Sequence, residues 1–319
     1  MKKYLITGFS GFVSNYFLEY LNEHERGSSV MGLDINPPDF DVPQYKNIKA
    51  QHKSVDLLNS EKLQKIIYDF RPDYVLHLAS YSSVAFSWKN PMSSFYNNTN
   101  IFLNLLEQIR EIQSPCRILS IGSSEEYGNV RPDELPLTEK SPVRPLSPYA
   151  VARVSQEMLS RVYVDGYGLD IVITRSFNHI GPRQKDIFVV SSFARQLMDI
   201  KKNNKPREIT TGDLSIIRDF LDVRDVVKAY HMLFLHGLKG EVYNICRGEG
   251  TTLLSVVNTM ENIAGIEVSK IVNPQLIRPN DNPIIIGSNQ KLIAQTGWAK
   301  SYSLEQSLRD MVAYWEDKV

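Results

Sequence analysis

Tyr149 and Arg153 stand four residues apart, immediately after Ser147-Pro148. Serine followed by proline is a helix-start signature, with the serine as cap and the proline in the first turn. On such a helix a four-residue spacing puts the phenol and the guanidinium on one face. A free phenol, with a pKa of about 10, is a poor proton carrier at neutral pH. A fixed cation beside it stabilises the phenolate and makes it a usable general acid or base. Upstream, Ser123 and Ser124 close the apolar run Arg117-Ile118-Leu119-Ser120-Ile121, and Glu125 follows them. A strand-end hydroxyl can meet a substrate carbonyl, and the Glu125 carboxylate can act as a base or bind a sugar hydroxyl. Taken singly, these residues equally describe a serine-rich turn and an ordinary surface helix.

A second candidate site lies at the N-terminus. Gly8-Phe9-Ser10-Gly11-Phe12-Val13-Ser14 follows the run Tyr4-Leu5-Ile6-Thr7 and leads into a helical pattern through Tyr16-Phe17-Leu18. Glycines in that context let the backbone approach a pyrophosphate, and the helix N-terminal N–H groups bind its charge. Ser14 takes the place of the fingerprint's third glycine. Asp34 ends the next strand, where a carboxylate bonds the adenosine ribose 2′-OH and repels a 2′-phosphate. It favours NAD(H), with NADP(H) as the second choice. Asp56, with Leu57 beside it, either caps a helix or touches the adenine.

These residues need a scaffold, and the chain offers one. Short β-branched runs (4–7, 29–33, 74–78, 117–121 and 171–174) alternate with helical patterns over 61–70, 91–112 and 148–167. That alternation predicts an α/β fold, a Rossmann-type doubly wound parallel sheet with right-handed crossovers. Beyond Phe177 the rhythm loosens into a helix over 188–201, shorter mixed elements and a final helix over 304–315. A mainly dinucleotide-binding domain over 1–177 and a smaller C-terminal α/β substrate lobe over 178–319 are therefore expected, with elements free to pass between them. The 319 residues include 36 Lys+Arg and 36 Asp+Glu, a balance that argues against nucleic acid and anionic membranes as partners. No apolar run approaches a membrane span. The apolar stretch after Met1-Lys2-Lys3 stops at Thr7-Gly8, and Cys116 and Cys246 read as buried free thiols, so a cytoplasmic location is expected. The six histidines show no metal-ligand spacing, and no metal is expected.

The glycine turn, the strand-end Ser123 and the Tyr149 helix occur in the order of the extended short-chain dehydrogenase/reductase superfamily, which the chain resembles along nearly its whole length. His77-Leu78-Ala79 resembles that superfamily's His-Leu-Ala segment. The resemblance implies that Gly8, Ser10, Gly11, Phe12, Val13, Asp34, Asp56, Leu57, Leu78, Ala79, Tyr149 and Arg153 line the cofactor. It also implies that Ser123 orients the substrate oxygen and that Tyr149 exchanges its proton. Arg153 departs from the family's Tyr-x-x-x-Lys, keeping the charge but replacing a compact ammonium by a planar fork.

Ser123-Ser124-Glu125-Glu126-Tyr127-Gly128, Phe177-Asn178-His179-Ile180-Gly181-Pro182, Arg218-Asp219-Phe220 and Arg278-Pro279 are similar to segments of the GDP-6-deoxy-4-keto-mannose reductases. That similarity implies a GDP-sugar substrate held by Ser124, Asn178, Arg218 and Arg278, and reduction of its C4 carbonyl. Two other enzyme readings use the same apparatus: a GDP-sugar 4,6-dehydratase with Glu125 as base, and a C4 dehydrogenase or reductase acting on a GDP-heptose. A different class is a cofactor-binding regulatory or scaffold protein that has lost turnover through Arg153. The apolar positions of 95–112 and of the Tyr149 helix either cover the sheet or, as the family implies, pair two copies through a four-helix bundle.

Overall fold

The computed structural model describes residues 1–113, 115–277 and 282–319. Its strands are β1 (Lys3–Thr7), β2 (Ser29–Asp34), β3 (Lys49–Ser54), β4 (Tyr74–His77), β5 (Arg117–Ser123), β6 (Asp170–Ser176), β7 (Asn178–Ile180), β8 (Glu208–Thr211), β9 (Ile217–Asp222), β10 (Val242–Ile245), β11 (Gly250–Thr252), β12 (Ser269–Val272) and β13 (Ile284–Ile285). Its α-helices are α1 (Phe12–His24), α2 (Ser60–Phe70), α3 (Val84–Lys89), α4 (Pro91–Ile112), α5 (Pro148–Tyr167), α6 (Val189–Asn203), α7 (Val223–His236), α8 (Leu253–Ala264), α9 (Gln290–Thr296) and α10 (Leu304–Lys318).

Seven parallel strands form the main sheet in the order β10-β6-β5-β4-β1-β2-β3. The chain winds outward from β1 in both directions, so the topological switch point falls between β1 and β4, where such sheets bind ligands beyond the strands' carboxyl ends. The central strands are apolar on both faces because helices cover both. On one side Tyr16, Phe17 and Leu21 of α1 pack with Val226, Tyr230 and Leu233 of α7. On the other, Leu63 and Ile67 of α2 and Phe102, Leu105 and Ile109 of α4 pack against Leu5, Val75 and Ile118.

Residues beyond 177 serve both layers. Helix α7 and edge strand β10 return to the large sheet, with Val242–Ile245 in register with Ile173–Ser176. The remainder builds a smaller unit from a sheet in which β9 pairs with β7, β11 and β13, a β12-β8 pair, and the helices α6, α8 and α10 around Phe193, Leu197, Val257 and Met311. Asn178 belongs to this unit. It opens β7 opposite Phe220 of β9 and does not end β6, which stops at Ser176. The intervening Phe177 turns into its own buried cluster with Tyr127 and Ile285.

Gly32 in β2 shows how tightly the N-terminal turn is packed. A Cβ there would lie 2.1 Å from Cγ of Phe9, the buried residue between Gly8 and Ser10. Overpacking of this kind costs about 1–3 kcal/mol. Gly32→Ala is expected to lower the urea-unfolding midpoint accordingly; an unchanged midpoint would show that Phe9 has room to move.

Candidate active site

The glycine turn is held from three directions. Gly8 has φ +69°, and a Cβ on it would come within 2.8 Å of the Ala79 backbone nitrogen at the end of β4. The Gly11 N–H donates to Gly8 O at 3.1 Å. Asp34 receives the Ser10 N–H at 3.1 Å through one oxygen and the Asn36 N–H at 3.1 Å through the other, which fixes its carboxylate beside the turn. Helix α1 starts at Phe12 with Gly11 as its cap and no side chain bonded to its first N–H groups. Phe12 reaches the second lobe, where its ring stacks on His179 at 6.2 Å. Val13 packs against the core beneath the turn. The start of α1 thus carries amides that no side chain caps, the kind of helix terminus that takes an anionic group, with the Asp34 carboxylate fixed beside the turn.

Asp56 has a more local part than helix capping. Its Oδ1 accepts the Leu58 N–H at 2.9 Å, while Asn59 caps α2 by accepting from Lys62 N–H. Leu57 buries its side chain, and its carbonyl accepts from Asn104 Nδ2. Thr7 Oγ1 receives the Ala79 N–H at 3.3 Å and contacts His77 Nδ1 at 2.8 Å, tying the ends of β1 and β4 together beside Leu78. Burial, helped by the nearby Arg153 cation, pushes the His77 imidazole down to about 3, so it stays neutral.

Ser147 accepts the Ala150 N–H at 3.1 Å and Pro148 opens α5. One turn on, Arg153 Nε donates to the Tyr149 hydroxyl at 3.2 Å. The rest of the guanidinium is also engaged. Its Nη1 donates to Ile121 O at 3.0 Å and to Gln156 Oε1 at 2.7 Å, and its Nη2 to Ser80 Oγ. Gln156 in turn donates to Ser120 Oγ at 2.9 Å, which Ser160 also reaches. Arg153 is 4% exposed and has no carboxylate partner among the described residues. Gln156 and Ser80 are the functional neighbours that sequence reasoning missed. The three-residue step from Arg153 to Gln156 was the available signal.

Ser123, at the end of β5, is held by its own turn. Its N–H donates to Glu126 Oε1 at 2.6 Å and its Oγ accepts the Glu125 N–H at 3.2 Å. Ser124 is buried and Glu125 half-buried. Arg218 lies on β9 in register with Thr251 and Ile285, buried, with an N–H on Ile217 O. Arg278 and Pro279 lie outside the described residues. Both cysteines are buried free thiols. Among the described residues, no group of His, Cys, Asp and Glu could hold a metal ion, and no helix is long and apolar enough to cross a membrane.

Residues 5–311 match the family of GDP-mannose 4,6 dehydratase. The chain is 32% identical to a GDP-6-deoxy-D-mannose reductase of Pseudomonas aeruginosa, over 100% of this chain and 98% of the relative. Among solved structures it superposes on RMD from Pseudomonas aeruginosa complexed with NADPH, with a TM-score of 0.88, 31% identity and full coverage of both chains. It also superposes on a Thermus thermophilus UDP-glucose 4-epimerase complexed with NAD, with a TM-score of 0.85, 29% identity, and coverage of 99% of this chain and 100% of the other.

A lysine at position 153 cannot satisfy the acceptors that the arginine fork reaches. Leaving Gln156 Oε1 or Ser80 Oγ without its donor costs about 1–3 kcal/mol per buried group. Arg153→Lys is expected to lower the unfolding free energy by that order, whereas Arg309→Lys, at an exposed pair with Glu305, stays within about 0.5 kcal/mol. Equal effects in a denaturant titration would mean that the Arg153 network contributes nothing.

Proposed function

The chain belongs to the GDP-mannose 4,6-dehydratase family of nucleotide-sugar short-chain dehydrogenase/reductases, and from that premise we propose that it reduces the C4 carbonyl of a GDP-linked 4-keto-6-deoxy sugar with a nicotinamide cofactor. The observation that carries this reading is the buried Tyr149–Arg153 contact of 3.2 Å on the helix following a strand-end serine. The end-to-end similarity to a GDP-6-deoxy-D-mannose reductase supports it over the family's dehydratases.

The cofactor's pyrophosphate would lie on Gly8, Ser10, Gly11, Phe12 and Val13, with Asp56 and Leu57 toward the adenine, and Leu78, Ala79, Tyr149 and Arg153 toward the nicotinamide end. The Asp34 carboxylate favours NADH, since it bonds a ribose 2′-OH and repels a 2′-phosphate. When bound, the nicotinamide supplies the hydride. Tyr149 O–H gives its proton to the sugar C4 oxygen, and the Ser123 hydroxyl bonds that oxygen as charge develops on it. Arg153 faces the phenolate left on Tyr149. Because a guanidinium does not give up its proton, Tyr149 is recharged by another route than residue 153. Ser124, Asn178, Arg218 and Arg278 are the proposed GDP-sugar contacts, with the arginine forks suited to a diphosphate.

Helix α5 supports a homodimer, and the buried free thiols of Cys116 and Cys246 fit a reducing cytoplasm. Its buried face is polar, carrying Arg153, Gln156, Glu157 and Ser160, while Val151, Met158 and Val162 face outward and exposed. Phe95 and Tyr96 of the adjoining α4 are exposed as well. An apolar stripe turned away from its own core is explained by a second copy covering it, as a four-helix bundle of α4 and α5 with their mates. A glutamate at both Met158 and Val162 is expected to yield monomers by light scattering; an unchanged mass would exclude this face.

Purified protein mixed with GDP-4-keto-6-deoxymannose and NADH is expected to oxidise the NADH, faster than NADPH at equal concentration. Tyr149→Phe lowers kcat by about 10²–10⁴ with cofactor binding retained. NADH binding without oxidation would overturn the reductase reading and direct attention to Glu125 as the base of a dehydratase.

A further inference from the structure

Below the Ser123 turn lies a buried acidic pair that the proposed chemistry does not use. Glu126 is 1% exposed. Its Oε1 accepts the Ser123 N–H and, with the Thr174 carbonyl oxygen, lies 2.4 Å from where a Cβ on residue 122 would stand, so the two together account for Gly122. Its other oxygen has no hydrogen-bond partner when the group is treated as a carboxylate. The groups facing it are the equally buried Glu157 of α5 and Arg175 of β6, whose Nε lies 4.0 Å away. Arg175 is already committed: its Nε and Nη2 bond the two Glu157 oxygens at 3.0 Å each, and Arg161 bonds Glu157 from outside. Tyr127, beneath the Arg175 guanidinium, gives its hydroxyl to Asn244.

Arg161 is 45% exposed and keeps its charge largely in water, so among the fully buried groups two carboxylates share one committed guanidinium, and burying the second negative charge is costly. One proton removes it. We infer that Glu126 is a positioning residue that works in its neutral form, donating from its free oxygen to Glu157 while its other oxygen holds the Ser123 N–H. The buried part of the cluster then carries one carboxylate and one guanidinium, every oxygen of Glu126 is used, and the turn presenting Ser123 is anchored to both α5 and β6. Burial, then the Glu157 charge, pushes the Glu126 carboxyl up to about 8. Burial raises Glu157 too, but Arg175 and Arg161 outweigh it and hold Glu157 ionised.

The test needs no substrate for its first arm. A carboxyl raised from 4.5 to about 8 on folding binds more protons folded than unfolded across that window, so the wild type loses stability as pH rises through it. Glu126→Gln keeps an acceptor for Ser123 N–H and a donor for Glu157 and has no such proton to lose. The melting temperature of Glu126→Gln relative to wild type is expected to climb by at least about 3 °C from pH 5 to pH 8, then level off. A flat difference overturns the inference. Should Glu126→Gln not fold, infrared spectra of the wild type decide: a protonated-carboxyl band at neutral pH, lost at a pH of about 10, is expected, and its absence overturns the inference.

The second arm rests on the reductase reading. At neutral pH Glu126→Gln keeps kcat within about threefold while Glu126→Leu lowers it tenfold or more, and the wild type's loss of kcat above pH 8 is reduced in Glu126→Gln. Equal losses in both variants, or superposed pH profiles, would reject the positioning role. Absence of turnover in every form would instead be a failure of the reductase reading, with the stability arm still reporting on the proton.

Discussion

A single buried positive charge organises the catalytic half of this protein. A guanidinium taken out of water costs several kcal/mol unless its N–H groups are met, and Arg153 meets that demand with a phenol, a carbonyl, an amide and a hydroxyl. None of these neutral acceptors cancels the charge. In the proposed reaction the cation would therefore be available to a negative charge forming on Tyr149, at a buried site where the attraction is stronger than in water. The same four contacts bring together residues from β5, from α5 and from the segment after β4, so the arginine fixes the strand ends as it prepares the phenol.

The consequences reach the assembly. Helix α5 turns Arg153, Gln156, Glu157 and Ser160 inward together with Tyr163, while Val151, Met158 and Val162 are left on the outside. The proposed chemistry and the proposed association would then draw on the two faces of one helix. The adjoining α4 divides its labour: Phe102, Leu105 and Ile109 cover the sheet while Phe95 and Tyr96 extend the exposed stripe. At the other end of the site, Phe12 and His179 join the cofactor turn to the second lobe.

The central strands were legible because a strand covered on both faces must be apolar throughout, as in Leu5-Ile6 and Ile118-Leu119. Edge strand β3 carries Lys49, Gln51, His52 and Lys53, pairs only with β2 and is largely exposed, so no apolar run marks it. Ser147, Tyr149 and Arg153 could be placed because helix start and spacing are local properties. From sequence alone Asn178 falls at the end of the sixth strand, because neither glycine nor proline interrupts 171–180 to mark the break between β6 and β7 that the structure places at Phe177. Asp56 and Asn59 are both acceptable caps in sequence, and only the backbone geometry selects Asn59. Glu126 carried one local signal, the capping-box spacing Ser123-x-x-Glu126, but its tie to Glu157 and Arg175 depends on the fold, which supplies them from 31 and 49 residues further along.

The most direct test of the central claim follows the hydride itself. NADH deuterated at its transferable position, incubated with this protein and GDP-4-keto-6-deoxymannose, is expected to place the label on the sugar C4, as read by NMR of the product. Label at C6, or a product without label, would contradict a C4 reduction assisted by Tyr149 and Arg153.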